Sequence, residues 1–196
     1  SCTTNAIVPT LKVLNDEFDI QSGHIESVHS YTNDQNLIDN FHKKVRRGRS
    51  AALNMVITET GAGKAVGQVL PELQGKLTAN AVRVPTPNVS LAIINLRFAK
   101  DITLEELNDF LRQKAFHSDL KEQIGFTNSP EVVSTDFVGD RHAGIIDSAA
   151  TIVNGNKCVL YVWYDNEFGY TAQLLGLAKE MVGLTYQRYP NFSEST

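Results

Sequence analysis

Ala81-Val82-Arg83-Val84-Pro85-Thr86-Pro87-Asn88-Val89-Ser90-Leu91-Ala92-Ile93-Ile94-Asn95-Leu96-Arg97-Phe98-Ala99 is the most regular stretch of the chain. Its two ends, 81–84 and 89–99, are rich in β-branched and large apolar residues, the second alternating Leu91 and Ile93 with other neighbours before Leu96 and Phe98. That is the pattern of strands. Pro85-Thr86-Pro87-Asn88 separates them as a stiff turn, because proline fixes φ and cannot donate to a ladder. Downstream, Thr103-Leu104-Glu105-Glu106 is a capping box, and Leu104, Leu107, Phe110 and Leu111 give the helix it opens one apolar stripe. Further strands are expected at 132–138, 145–153 and 158–164, and a last helix at 170–182. Upstream, strands are expected at 53–57 and 25–31. The first helix runs from about Cys2 to about Leu14 and is either bent or short, since Pro9 removes one of its backbone hydrogen bonds. Strands with a few helices and no regular βαβ alternation predict an α+β domain: a mainly antiparallel or mixed sheet with helices on one face. The expected organisation is one domain over 1–184 and a polar, loose tail over 185–196.

With 196 residues, 42% of them hydrophobic, 20% charged and a net charge of −4, the chain is long enough for a sizeable core. No apolar run reaches the ~20 residues of a membrane span, and the first residues lack a signal-peptide pattern, so a cytoplasmic protein with no membrane partner is expected. Cys2 and Cys158 lie far apart without CxxC spacing, which gives neither a disulfide framework nor a zinc site. His24, His42, His117 and His142 show no metal-ligand spacing either, and no metal is expected.

Two residues stand out as candidate chemistry. Cys2 precedes a helix-like run, and a helix N-terminus favours a thiolate, so Cys2 is a candidate nucleophile; the alternative is an inert small residue. His29 sits near the end of the strand 25–31, where functional side chains are commonly presented. The segment 36–49 is irregular and carries Lys43, Lys44, Arg46, Arg47 and Arg49. The net acidity and the lack of any nucleic-acid motif argue against a nucleic-acid partner, and a small-anion site fits the guanidinium groups better. Thr58-Glu59-Thr60-Gly61-Ala62-Gly63-Lys64-Ala65-Val66-Gly67 imitates a nucleotide loop. It is not a P-loop, because Thr58 stands where the first glycine belongs and Ala65 where a magnesium-binding hydroxyl belongs; its third glycine also comes one residue late for a dinucleotide fingerprint. Phosphate contact at Thr60-Gly61 and an ordinary helix start both remain open at this level.

Six stretches in one order carry a resemblance: Ser1-Cys2-Thr3-Thr4-Asn5; Val28-His29-Ser30-Tyr31-Thr32-Asn33-Asp34-Gln35; Arg46-Arg47-Gly48-Arg49-Ser50-Ala51-Ala52; Thr60-Gly61-Ala62-Gly63-Lys64-Ala65-Val66; Arg83-Val84-Pro85-Thr86-Pro87-Asn88-Val89-Ser90; and Trp163-Tyr164-Asp165-Asn166-Glu167-Phe168-Gly169-Tyr170. Together they resemble the catalytic half of phosphorylating glyceraldehyde-3-phosphate dehydrogenase, from Ser1 to about Leu184. The family's N-terminal Rossmann domain, which holds most of the NAD or NADP, precedes that region, so the chain is expected to belong to a longer polypeptide. The resemblance implies Cys2 as nucleophile and His29 as base. It further implies Thr32, Arg47 and Arg83 on the phosphate of glyceraldehyde 3-phosphate, with Ser1, Thr3, Thr60 and Gly61 on inorganic phosphate. Asn166 and Tyr170 would meet the nicotinamide, and the whole protein would be a homotetramer. Each has a plain structural alternative, such as an edge-strand charge for Arg83, a turn residue for Thr60 or a helix cap for Asn166. Departures are Ala6, where many members carry a second cysteine, and Asn40-Phe41, where NAD-specific members typically carry Leu-Pro. The second departure leaves NAD against NADP open. Neighbouring readings are erythrose-4-phosphate dehydrogenase, a Cys-His thiol hydrolase or acyltransferase, and a non-catalytic module that kept the fold.

Overall fold

The computed structural model describes residues 1–184; the tail expected over 185–196 lies outside the described residues. The elements are α1 (Cys2–Phe18), β1 (Ile20–Ser30), β2 (Val56–Thr58), α2 (Ala62–Val69), β3 (Leu77–Val84), β4 (Ser90–Phe98), α3 (Leu104–His117), β5 (Ile124–Thr127), β6 (Gly144–Asp147), β7 (Ile152–Asn154), β8 (Lys157–Tyr164) and α4 (Phe168–Met181). The strands form one mixed sheet in the order β2-β3-β1-β4-β8-β6-β5, with β7 pairing β8 off this path. β1 runs parallel to β3, and β5 to β6, while the other pairings are antiparallel.

The stretch 81–99 forms β3 and β4 as the expected strands, with Ala92, Ile94, Leu96 and Phe98 of β4 buried and Leu91 and Ile93 half-buried on the other face. Alternation puts the buried residues on one face with Cys158, Leu160, Val162 and Tyr164 of β8. α1 covers that face with Ala6, Ile7, Leu11 and Leu14. Pro9 does not shorten the helix, which runs on to Phe18 and ends at Asp19 in the left-handed conformation, φ 53°. α3 begins on the expected capping box.

Four expectations need correction. Residues 132–138 are not a strand: Asp136 accepts the Val133 N–H at 2.7 Å and Ser134–Phe137 winds into a single 3₁₀ turn, so side-chain capping overrides the β-forming composition. The strand expected over 145–153 is two, because Asp147 accepts the N–H of Ala150 at 3.2 Å and turns the chain between β6 and β7. β5 has no counterpart in the sequence reading, being four residues with a glycine inside. The strand expected at 53–57 is only Val56–Thr58, with Leu53 and Met55 exposed.

α1 lies so close to β6 that a Cβ at Gly144 would meet the Ala6 carbonyl oxygen at 2.6 Å and a Val162 methyl at 2.7 Å. Gly144→Ala should therefore lift the helix and cost about 1–3 kcal/mol, the usual size of core overpacking. Urea unfolding of the chain measures it, and an unchanged midpoint would show that the helix has room to move.

Candidate active site

Ser1 is the N-cap of α1: its hydroxyl accepts the Thr4 N–H at 3.2 Å and the Thr4 hydroxyl at 3.0 Å. Cys2 is thereby fixed in the first turn, at the positive end of the helix dipole. The turn itself is anchored by Tyr164, the last residue of β8, whose buried hydroxyl lies 2.8 Å from both Thr3 Oγ1 and Ser27 Oγ. Burial pushes this phenol up to about 12, so it remains neutral and works as a hydrogen-bonding pin. Tyr164 and Ser27 escape the sequence reading as site residues. The available signal is a hydroxyl at the end of an otherwise apolar strand, which needs a buried partner.

β1 ends beside this turn and presents His29, whose Nε2 is 3.3 Å from Cys2 Sγ. The other ring nitrogen, Nδ1, lies 2.7 Å from the Ser30 carbonyl oxygen, which only accepts, and 2.7 Å from Arg83 Nη1, which only donates; with the ring proton on Nδ1, bonded to Ser30, Nε2 offers its lone pair to the thiol, and with it on Nε2 the ring accepts from Arg83 instead. Arg83, from β3, is the parallel register partner of His29 and donates through Nη1 to the same carbonyl at 2.9 Å. Its Nη1 is also 2.7 Å from His29 Nδ1 and 3.4 Å from Thr32 Oγ1. Burial first, then the nearby Arg83 charge, pull the His29 pKa down to about 4 against the hydrogen bond to Ser30, with Arg47 adding to the depression. The imidazole is neutral near pH 7.

Arg47 is the one basic side chain of 43–49 that turns inward, only 7% exposed, where it donates through Nε to Thr58 Oγ1 at 2.9 Å and pairs with Asp34. Arg49 pairs with Asp39 at the surface instead. Arg83 is depressed below the usual arginine range by its burial and then by the Arg47 charge beside it. Arg47 and Thr60 line one cleft of about 710 Å³ together with Lys44, Arg46 and Thr58. Gly61 is the N-cap of α2 without a side-chain cap, and Thr60 Oγ1 accepts the Ala62 N–H at 3.2 Å, so the backbone there faces open space.

The structure thus gathers Ser1, Cys2, Thr3, His29, Thr32 and Arg83 by direct contact or through Tyr164, and joins Arg47 and Thr60 along the neighbouring cleft. Asn166 reaches the same centre through Ser30, whose hydroxyl donates to its Oδ1 at 2.8 Å. Tyr170 is different. It stands on the first turn of α4, 46% exposed, and among the described residues no hydrogen bond or ring contact ties it to Cys2 or His29. A thiol facing a neutral imidazole, beside the Arg83 guanidinium and the Asp34-paired Arg47, can attack a carbonyl carbon carried by an anionic substrate.

The family described as "Glyceraldehyde 3-phosphate dehydrogenase, C-terminal domain" matches residues 1–166. Over 190 residues the chain is 64% identical to a glyceraldehyde-3-phosphate dehydrogenase-like protein of Pseudomonas aeruginosa, covering 97% of this chain and 41% of that protein. It is 47% identical to the glyceraldehyde-3-phosphate dehydrogenase of Priestia megaterium and 48% to glyceraldehyde-3-phosphate dehydrogenase 1 of Bacillus subtilis, each match covering 91% of this chain and 53% of the relative. The chain spans about half the length of the curated relatives it matches. With the mixed sheet and four helices in place, the chain belongs to the glyceraldehyde-3-phosphate dehydrogenase family and corresponds to its C-terminal domain.

Proposed function

We propose that the full-length protein carrying this chain oxidises glyceraldehyde 3-phosphate, with inorganic phosphate, to 1,3-bisphosphoglycerate. The observation that carries the reading is the 3.3 Å approach of Cys2 Sγ to Nε2 of a buried, neutral His29, with Arg83 against the same histidine. In this reading the Cys2 sulfur bonds to the aldehyde carbon and forms a thiohemiacetal. His29 Nε2 then takes the hydroxyl proton as that carbon gives up its hydride, leaving a thioester on Cys2. A phosphate oxygen attacks the thioester carbon, and the Cys2 sulfur departs with the bonding pair. Thr32, Arg47 and Arg83 hold the substrate's phosphate; Ser1, Thr3, Thr60 and Gly61 hold the attacking one. A bound NAD or NADP supplies the hydride acceptor, held mainly by the part of the protein that precedes this domain, with Asn166 and Tyr170 as this chain's contributions. The amide of Asn166 fits that task, since its oxygen is occupied by Ser30 and Ser90 while its nitrogen gives one N–H to Glu167 Oε1 at 3.4 Å and keeps the other to donate. The reading extends to a homotetramer in the cytoplasm, for which the exposed Leu37, Ile38, Phe41 and Val45 of the segment after β1 supply apolar contact surface.

Assay of the full-length protein with both dinucleotides, and with erythrose 4-phosphate as the competing aldehyde, tests the activity. Cys2→Ser should abolish it, and His29→Asn should slow the oxidation about 10²–10⁴-fold, the range for a general base. Arg83→Met should raise KM for glyceraldehyde 3-phosphate about 10–100-fold, the size of a charge-assisted contact, whereas unphosphorylated glyceraldehyde should feel only the smaller change that losing the Arg83 contact makes at His29. Equal losses on both aldehydes would remove Arg83 from the phosphate site.

A base held neutral by its surroundings also gives the fold an acid limit. The His29 pKa is lower folded, about 4, than unfolded, about 6.5, so the unfolded chain binds the extra proton between these values. Stability is complete above pH 6.5 and falls as the pH drops toward 4, by roughly 3 kcal/mol from this residue. Urea midpoints of the chain at pH 7.5 and 4.5 should fall less in His29→Asn than in the wild type; equal falls would mean that His29 is not held neutral.

A further inference from the structure

Asn166 lies where β8 gives way to α4, and two hydroxyls from elsewhere in the sheet converge on one end of its amide. Ser30 Oγ donates to Asn166 Oδ1 at 2.8 Å, and Ser90 Oγ donates to the same atom at 2.9 Å. Ser90 Oγ also accepts the Ser30 backbone N–H at 3.1 Å, which leaves its single proton for Asn166. Both serines are buried, Ser30 at 0% and Ser90 at 2% exposed, whereas Asn166 is half-buried. The backbone beneath is fixed as well. Buried Asp165 accepts the N–H groups of Glu167 and Phe168 on one oxygen, at 2.9 and 2.8 Å, and Gly139 N–H and Asn88 Nδ2 on the other, at 2.8 and 3.0 Å.

We propose that Ser30 and Ser90 are positioning residues for the dinucleotide's carboxamide. They hold Asn166 with its oxygen inward, so that Nδ2–H is the end presented to a ligand carbonyl oxygen. The inference rests on the dinucleotide reading of Asn166 given above. An asparagine amide is nearly two-fold in shape, and rotation by half a turn exchanges a donor for an acceptor. Two hydroxyls on Oδ1, together with the Glu167 carboxylate, which only accepts, 3.4 Å from Nδ2, remove that ambiguity. Ser30 follows His29 at the end of β1, and Ser90 stands opposite Tyr164 in the β4–β8 register, so the amide's orientation is referenced to the strands that place the base and the pin.

The test uses the full-length protein and whichever of NAD or NADP it binds more tightly. The nicotinamide-free counterpart, ADP-ribose or its 2′-phosphate, serves as the paired ligand. Ser90→Ala and Ser30→Ala should each weaken the dinucleotide about three- to tenfold while leaving the counterpart unchanged. Asn166→Ala introduced into the Ser30→Ala/Ser90→Ala double variant should weaken it no further, since all three act through one contact. Iodoacetamide should alkylate Cys2 at the wild-type rate in every variant. Parallel weakening of both ligands, or no weakening of either, overturns the proposal while the dinucleotide reading stands. A wild-type protein that binds neither dinucleotide overturns that reading and this inference with it.

Discussion

The Tyr164 hydroxyl is the point on which the rest of the arrangement depends. It joins the first turn of α1, through Thr3, to the middle of β1, through Ser27, and it belongs to the end of β8. These segments are more than 130 residues apart in places, yet each contact is 2.8 Å and lies away from water. A buried phenol without partners costs far more than a pair of hydrogen bonds returns, so the three elements can sit only where both hydroxyls reach it. Once α1 is held there, Cys2 comes to β1 near its end, and His29 two residues beyond Ser27 meets it. The Tyr164 ring, edge-on to His29 with centroids 6.0 Å apart, fills the space that would otherwise admit water behind the base.

The next residue, Asp165, repeats this logic for the loops. Its carboxylate takes four donors from three separate connections and stops the chain between β8 and α4 in one conformation. Val89, in the turn before β4, has φ 66°, a conformation in which a β-branched side chain is strained. Its neighbours explain how the strain persists: Asn88 is tied to Asp165 and Ser90 to Asn166, so relaxing Val89 would break hydrogen bonds on either side. The loops are rigid because each is bonded to another loop rather than to solvent.

Sequence made the long elements readable because their signals are local. The capping box of α3 and the apolar run of β4 need nothing from the rest of the chain, and Ser1 with Cys2 before an apolar run marks the start of α1. Residues 132–138 misled because composition favours a strand while one side chain, Asp136, captures a backbone N–H and winds a turn. β5 was invisible because its four residues make sense only beside β6. The site residues divide in the same way. Cys2 and His29 are reactive types at element ends and stand out, whereas Arg47 is one of five basic residues within 43–49, and only long-range contacts with Asp34 and Thr58 turn it inward. Ser27, Ser30 and Ser90 are ordinary serines in sequence, and only strand register reveals them.

Electrostatics links the anion site to the base. Arg83 and Arg47 both push the His29 proton affinity down, and burial does so more strongly than either. An anion seated on these guanidinium groups cancels the two charge contributions and leaves burial and the Ser30 carbonyl, so the affinity of Nε2 for a proton rises when a phosphate is bound. A base should be weak while the site is open, where a protonated imidazole would be idle, and stronger once a substrate has brought a proton to remove. Arg83 Nη1 stands between Ser30 O and His29 Nδ1, and this couples the two events: when Arg83 turns toward an anion, Ser30 O is left to His29 alone, and a hydrogen bond from Nδ1–H to it favours the protonated ring. The guanidinium groups and the His29 imidazole are in this way one electrostatic unit, built from the parallel register of β1 and β3 that sets Arg83 beside His29.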